Sequence, residues 1–444
     1  MSVIIAPATP LKRSAISIIR LSGDGCLNKF KSIAKIFTSL IEPRKIYLAE
    51  IYEKSNLIDR VLFIFYENGL SYTGEEMIEI FLHGNPIIVE KTIEIALRLD
   101  GVRYALPGEF TKRAFLNGKI DLTMAESVAA LTEAPNLEAI KSSLRVLKGD
   151  LKKNLDKIMD VLVDIRTEIE ARIDFPEEEI HEIDITSLLK KVGWVQHKLS
   201  SLMESHFYSE KVFDGVKVAI AGIPNAGKSS LLNVLLDKDR AIVHPCEGTT
   251  RDYIEESLSI NGLYTKLIDT AGIRPNPESI EKIGMNKSFN VIKEADAIIH
   301  LLDITRGITD GDRILMKMEL RAERLFVWNK IDLIEELPEY PKNSLGISCL
   351  IRKNIDLLKE KIYNIFMKEH KLETKFYISF RQKELIYKAK TSLKRFVEDA
   401  EGNKGEEILA EDIRRANEYI AELLGRDYTE ESLNAIFRRF CIGK

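Results

Sequence analysis

Cysteine is scarce in this chain. Only Cys26, Cys246, Cys349 and Cys441 occur among 444 residues, and no two of them form a CxxC pair. That scatter argues against a disulfide framework or a structural zinc site and points to a reducing compartment. Long apolar runs are lacking too: no stretch of about 18 residues is hydrophobic throughout, so no transmembrane helix is expected. The opening MSVIIAPATPLKRSAISIIR has a short apolar start but no basic leader followed by a long h-region. The expectation is a cytoplasmic chain without a signal peptide. Nor is there a surplus of basic charge. Lys and Arg number 65 against 69 Asp and Glu, a formal net charge of −4. A global nucleic-acid footprint is therefore excluded, and any RNA contact has to come from a local patch or from a partner. What is present, 45% hydrophobic and 30% charged residues, is the composition of an ordinary globular protein. The length suggests roughly two to four domains.

The most informative stretch is VKVAIAGIPNAGKSS, Val216 to Ser230. Val216 to Ala221 reads as a buried strand, and Gly222-Ile223-Pro224-Asn225-Ala226-Gly227-Lys228-Ser229 follows at once. Leu231, Leu232, Val234 and Leu235 then recur at helical spacing. Strand, glycine loop and helix is the context in which GxxxxGK[ST] marks a phosphate site. The glycines let backbone N–H groups, including those of Ala226 and Ser230, approach an anion, and the helix N-terminus adds its dipole. Lys228 is expected on the β- and γ-phosphates and the Ser229 hydroxyl on Mg²⁺.

Three further signals follow in order. Glu247-Gly248-Thr249-Thr250-Arg251-Asp252 supplies a loop threonine, Thr250, suited to sense the γ-phosphate through Mg²⁺. KLIDTAGIR places Asp269 at a strand end, followed by Thr270-Ala271-Gly272; Asp269 is expected near Mg²⁺ and the Gly272 N–H near the γ-phosphate. FVWNKIDL gives Asn329-Lys330-Ile331-Asp332, where a carboxylate accepts the N1 and N2 donors of guanine that adenine lacks. Ser348-Cys349-Leu350 is expected to back the base through its main chain. Together these read as a GTPase.

The hydrolytic machinery departs from the commonest pattern. The position after the DxxG glycine is Ile273, which cannot orient water as a glutamine does. Glu278 and Glu281 lie in the same segment, and the residues alone leave both open. No arginine finger stands out. Asn225 offers another route, an amide oxygen for a monovalent cation placed against the β–γ bridge.

Around this α/β segment the chain changes character. Residues 1 to about 118 mix β-rich runs (AISIIRLSG, IYLAEIY, RVLFIFYENG) with a helical stretch, IIVEKTIEIALRL, and read as α+β. From about Leu122 to Val212 the pattern is helical, with Leu151, Leu155, Ile158, Leu162, Ile165 and Ile169 forming a stripe. Helical patterning returns after about 370. The α/β segment is thus expected as an insertion into one helical domain. The fold class is multidomain: an α+β N-terminal domain (1–118), a discontinuous helical domain (119–212 and 371–444), and an inserted Ras-like P-loop G domain (213–370).

GIPNAGKSS, EGTTRD, DTAGIR and NKID, with the terminal Cys441-Ile442-Gly443-Lys444, resemble the MnmE (TrmE) family of tRNA modification GTPases. IIRLSG, SYTGEEMIEI and PGEFTKRAFLNGKIDL match it as well, so the likeness covers essentially the whole chain; RAFLNGKIDL and the CIGK terminus are its specific part. The resemblance implies homodimers formed through an N-terminal domain that binds 5-formyl- or methylenetetrahydrofolate. It also implies a heterotetramer with an FAD-containing MnmG-type partner, acting at C5 of the tRNA wobble uridine. GTP hydrolysis would depend on K⁺ and Mg²⁺. By the same resemblance Asn225 binds K⁺, with backbone groups around His244, Cys246 and Thr249; Glu281 orients the water. Arg20, Glu79, Lys119 and Lys444 contact the folate, and Cys441 is the functional terminal cysteine. A ribosome-assembly GTPase is the rival reading; it would need an RNA-binding appendage such as a KH domain, and no basic GxxG segment is found.

Overall fold

The structure is a computed structural model and describes residues 2–174, 184–239, 255–269, 292–320, 322–334, 336, 338–367 and 376–444. It divides into two compact units. One gathers the residues up to Ala129 with Val146–Lys198 and Glu384–Lys444; the other joins Ala130–Arg145 to Leu199–Lys383.

In the first unit seven strands form one sheet: β1 (Val3–Pro7), β2 (Ile16–Ser22), β3 (Ala34–Ile36), β4 (Ile46–Glu53), β5 (Asn56–Tyr66), β6 (Met77–His83) and β7 (Val102–Tyr104). Their spatial order is β3-β4-β5-β6-β2-β1-β7, antiparallel except for β1 beside β7. Period-two alternation explains which side chains enter the core. Ile19 and Leu21 of β2 and Ile78 and Ile80 of β6 are fully buried, together with Phe30 and Phe63, whose rings pack at 4.9 Å. Each such side chain stabilises the fold by about 1.5–3 kcal/mol relative to exposure. The intervening residues face the other way, and Arg20 and Glu79 are direct partners in the β2–β6 register.

The long helix Asp150–Asp174 carries the apolar stripe read from the sequence. Leu151, Leu155, Ile158, Leu162, Ile165 and Ile169 are all buried. It packs on the Glu406–Leu424 helix, which turns Ile413, Ala416, Ile420 and Leu423 inward. The ion pairs Arg172–Glu406 (3.1 Å) and Arg426–Asp156 (2.5 Å) flank that seam. A short terminal helix, Glu430–Phe437, begins with a capping box between Thr429 and Ser432.

The second unit is built on a six-stranded sheet ordered β13-β12-β11-β8-β10-β9. Its strands are β8 (Val216–Ala221), β9 (Glu255–Ile260), β10 (Leu263–Asp269), β11 (Ala297–Asp303), β12 (Glu323–Asn329) and β13 (Leu345–Gly346). All pairings are parallel except that of the edge strand β9. A parallel sheet is covered on both faces, so its central strand β11 is buried at every position. The helix that closes the helical stretch runs unbroken from Ile185 to Phe213, stopping two residues before β8. Val195, Leu199 and Val212 keep the apolar spacing going, and no proline or glycine after Gly193 interrupts it. Among the described residues no helix is long and apolar enough to cross a membrane.

Candidate functional site

Parallel α/β sheets bind ligands at the carboxyl ends of their strands, because loops and helix N-termini converge there. In the second unit β8 reaches that edge, turns through residues 222–227 and enters the Lys228–Asp239 helix. The last glycine of the turn is sterically required. A Cβ on Gly227 would lie 2.2 Å from Asn329 Nδ2, and its φ of 98° disfavours any side chain. Asn225 also adopts positive φ, 66°, which asparagine tolerates better than most residues. The Lys228 ammonium donates to the Gly222 and Ile223 carbonyls at 2.8 and 2.9 Å, which holds it over the loop.

A cleft of about 970 Å³ covers this loop, with Asn225, Lys228 and Ser229 on one side and Asn329, Asp332 and Leu350 on the other. Its size suits a nucleotide. Asn329, at the end of β12, joins the two sides. Its amide donates to the Ala226 carbonyl (2.9 Å) and its oxygen accepts from the Cys349 N–H (3.2 Å). Asp332 accepts from the Ser348 hydroxyl at 2.5 Å, and the same hydroxyl accepts from the Ile351 N–H. The carboxylate that would read guanine is thereby oriented by the loop that would back the base. Burial pushes the Cys349 thiol up to about 11, the nearby Asp332 adds to this, and the Asn329 contact opposes it. A buried neutral thiol serves here as a small packing group.

Sequence reasoning missed one member of this edge. Asp303, the last residue of β11, is opposite Asn329 in the register and almost completely buried. It holds the Lys330 ammonium at 2.6 Å, and Lys330 also donates to the Asn225 carbonyl at 3.2 Å. Burial works against the charge on Asp303. The hydrogen bonds from Lys330 and Thr305 outweigh it and keep the carboxyl below its usual range. The available signal was a carboxylate closing a strand, AIIHLLD, that is apolar but for His300.

Asp269 ends β10, paired with Ile220, at the same sheet edge as the loop. Thr249, Thr250, Thr270, Ala271, Gly272, His244, Cys246 and Glu281 lie outside the described residues. Ser230 lies in the first turn of the Lys228–Asp239 helix and lines the cleft, and Ala226 is buried in the loop before it.

The first unit gathers a second set of expected residues. Arg20 Nε donates to Glu79 Oε1 at 2.8 Å, and Tyr66 donates to the other carboxylate oxygen at 3.2 Å. Arg20 Nη1 reaches the Gly443 carbonyl at 3.3 Å, bringing the terminal CIGK segment to this strand pair. Gly443 has φ of 93°, and a Cβ there would stand 2.0 Å from the Pro7 carbonyl oxygen. Burial pushes the Lys444 ammonium below its ordinary range; the neighbouring Cys441 opposes this and the like charge of Arg20 adds to it. Cys441 is exposed, and its carbonyl accepts from the Gly108 N–H at 3.4 Å. Lys119 donates to the Gly69 carbonyl at 2.8 Å, in the loop that follows Tyr66, the residue bound to Glu79. Among the described residues no group of three or more His, Cys, Asp or Glu side chains could hold a metal.

Residues 122–441 match the MnmE helical domain, and residues 3–119 match the N-terminus of the GTP-binding protein TrmE. The chain is 40% identical to the tRNA modification GTPase MnmE of Aquifex aeolicus (strain VF5), covering 99% of each protein. It is 36% identical to the protein of the same name from Thermotoga maritima, over the full length of both. A solved structure of an Era variant from Aquifex aeolicus, bound to GDP and AlF4⁻, is 26% identical. That likeness covers 40% of this chain and 66% of the other, with a TM-score of 0.29.

Proposed function

This chain belongs to the MnmE (TrmE) family of tRNA modification GTPases, and from that premise we propose that it hydrolyses GTP to drive modification of the tRNA wobble uridine. The observation that carries the reading is the wall formed by Asn329, Asp332 and Ser348 across the cleft from the Lys228 loop. Asp332 accepts the two guanine N–H donors, and the Ser348 segment closes on the base through its main chain. Lys228 exchanges its carbonyl partners for phosphate oxygens, and the loop N–H groups orient the same phosphates. Ser229 and Thr250 would hold Mg²⁺, with Asp269 behind them. Asn225, with backbone groups around His244, Cys246 and Thr249, would hold K⁺. Both ions would supply positive charge where negative charge develops on the phosphate oxygens during hydrolysis. Glu281 orients the attacking water, replacing the glutamine this chain lacks.

The tail site supports the folate half of the proposal. Arg20 and Lys444 are cations suited to carboxylates, while Glu79 can accept from N–H donors of a pterin. A 5-formyl- or methylenetetrahydrofolate held there would supply the one-carbon unit, beside the exposed Cys441. The protein acts in the cytoplasm as a homodimer, in a heterotetramer with an FAD-containing MnmG-type partner and with tRNA as substrate. Its domain boundaries fall near residues 118, 212 and 370. The rival ribosome-assembly role is disfavoured by the match of residues 3–119 to a TrmE N-terminus.

Calorimetric titration with 5-formyltetrahydrofolate, beside a Lys119→Ala control, tests this reading. Saturable binding that the control loses is expected. A folded dimer that binds no folate would overturn the one-carbon role and leave a GTPase of another client.

A further inference from the structure

A second concavity in the first unit is used by none of the chemistry above. It measures about 510 Å³ and lies between the Glu109–Leu116 helix with its preceding turn and the terminal Glu430–Phe437 helix. Four cationic side chains and one carboxylate line it. The carboxylate, Glu109, is already engaged: Arg103 holds it through two bonds, of 2.5 and 2.8 Å, and Arg113 at 3.0 Å. Arg113 is further neutralised by Glu75 at 2.8 Å. Two charges are left over. Lys112 donates only to the neutral Asn434 oxygen, at 2.8 Å, and Arg438 is exposed; among the described residues no carboxylate pairs with either. Beside them Leu106 and Leu116 are exposed apolar side chains, 64% and 46% accessible.

Resting on the tRNA reading, we propose that this cleft is an RNA contact of the chain, taking backbone phosphate on Lys112 and Arg438 and an unstacked base against Leu106 and Leu116. Three observations point there together. The chain as a whole is acidic, at −4, so any direct RNA contact it makes requires a local cationic surface, and here the local excess is positive. Cations bordering an apolar floor are what a single-stranded nucleotide requires, since its phosphate and its π-face need opposite environments. The cleft also adjoins the terminal segment. Gly108, the residue that caps the Glu109–Leu116 helix, donates to the Cys441 carbonyl, and Arg438 lies three residues before Cys441. An RNA strand anchored here is held on the same packed seam that carries the proposed folate pair and the terminal thiol.

The test is binding of a fluorescein-labelled tRNA transcript to the full-length protein, by anisotropy over a series of salt concentrations, for wild type and for Lys112→Glu/Arg438→Glu. Losing two phosphate contacts should lower the slope of log affinity against log salt by about 2 and weaken binding by at least about tenfold at low salt. Lys112→Arg should restore binding when placed beside wild-type Arg438. GTP turnover and the unfolding temperature serve as fold controls and should stay unchanged. Equal RNA affinity and equal salt slope in the charge-reversed protein overturn the cleft as the RNA contact, whatever acidic partner it then accepts, while leaving the tRNA reading intact. A wild-type protein that binds no tRNA at any salt, alone or together with the MnmG-type partner, overturns the tRNA reading itself.

Discussion

Arg20 donates through Nη1 to the main-chain carbonyl of Gly443, across 423 positions of sequence, while its Nε is bound to Glu79. The guanidinium thus ties the end of the chain to the centre of the N-terminal sheet. Residue 443 has to be glycine for this contact to exist, since a Cβ would overlap the Pro7 carbonyl and the φ of 93° is unfavourable for other residues. Gly443→Ala is expected to release the tail and lower 5-formyltetrahydrofolate affinity about tenfold or more, the scale of one lost charged hydrogen bond. Calorimetry against Ile442→Ala, a neighbouring exposed position, checks it; equal affinities for the two variants would argue that the tail takes no part in the site.

Asp303 acts on the nucleotide cleft through Lys330 and the Asn225 carbonyl. Removing it leaves Lys330 without its carboxylate and loosens the phosphate loop from β12. Asp303→Ala should destabilise the second unit by about 1–3 kcal/mol, the scale of a lost hydrogen bond to a charged group. GTP affinity should fall with it, while preference for GTP over ATP is retained because Asp332 is untouched. Fluorescent-nucleotide titration separates the two effects.

Hydrolysis and binding should separate at another residue. Glu281→Ala is expected to reduce turnover by about 10²–10⁴-fold, the range for a group that positions or activates water, with GTP affinity unchanged. Single-turnover hydrolysis and nucleotide titration measure the two terms. Retained turnover would remove Glu281 from the mechanism.

His300 sets an acid limit on the second unit. It is buried in β11, 3.3 Å from Asp312; burial depresses its proton affinity and Asp312 only partly offsets this. The folded protein therefore takes up the proton less readily than the unfolded chain, whose histidine titrates near 6.5. Below that pH the unfolded state binds more protons, so stability falls as pH drops from about 6.5 toward the depressed folded value, and is complete above it. His300→Gln should flatten this dependence. Unfolding temperatures between pH 7 and 5 give the comparison.

Much of this architecture can be read locally. The stripe from Leu151 to Ile169 and the strand–glycine–helix order at Val216–Ser230 are periodic or contiguous signals, and backbone physics turns such patterns into elements with few alternatives. The same holds for the proposed guanine wall, because Asn329 to Asp332 and Ser348 sit at strand ends that a parallel sheet brings to one edge. The end of the helix at Phe213 is less legible, because it is decided by where β8 must begin to enter the sheet, and no capping residue announces it.

What the chain's own sequence determined is the set of parts: a glycine loop between strand and helix, the aspartate proposed to read guanine, an amphipathic helical frame and a terminal CIGK segment. Only the tertiary structure decided which distant groups meet. Arg20 with Gly443, Asp303 with Lys330, and Lys112 beside Arg438 are separated by tens to hundreds of residues, and no local spacing encodes them. The physical reason is that each pairing is set by sheet register and helix packing, which are optimised over the whole core. A charge has no partner in sequence; it acquires one when the surfaces around it close.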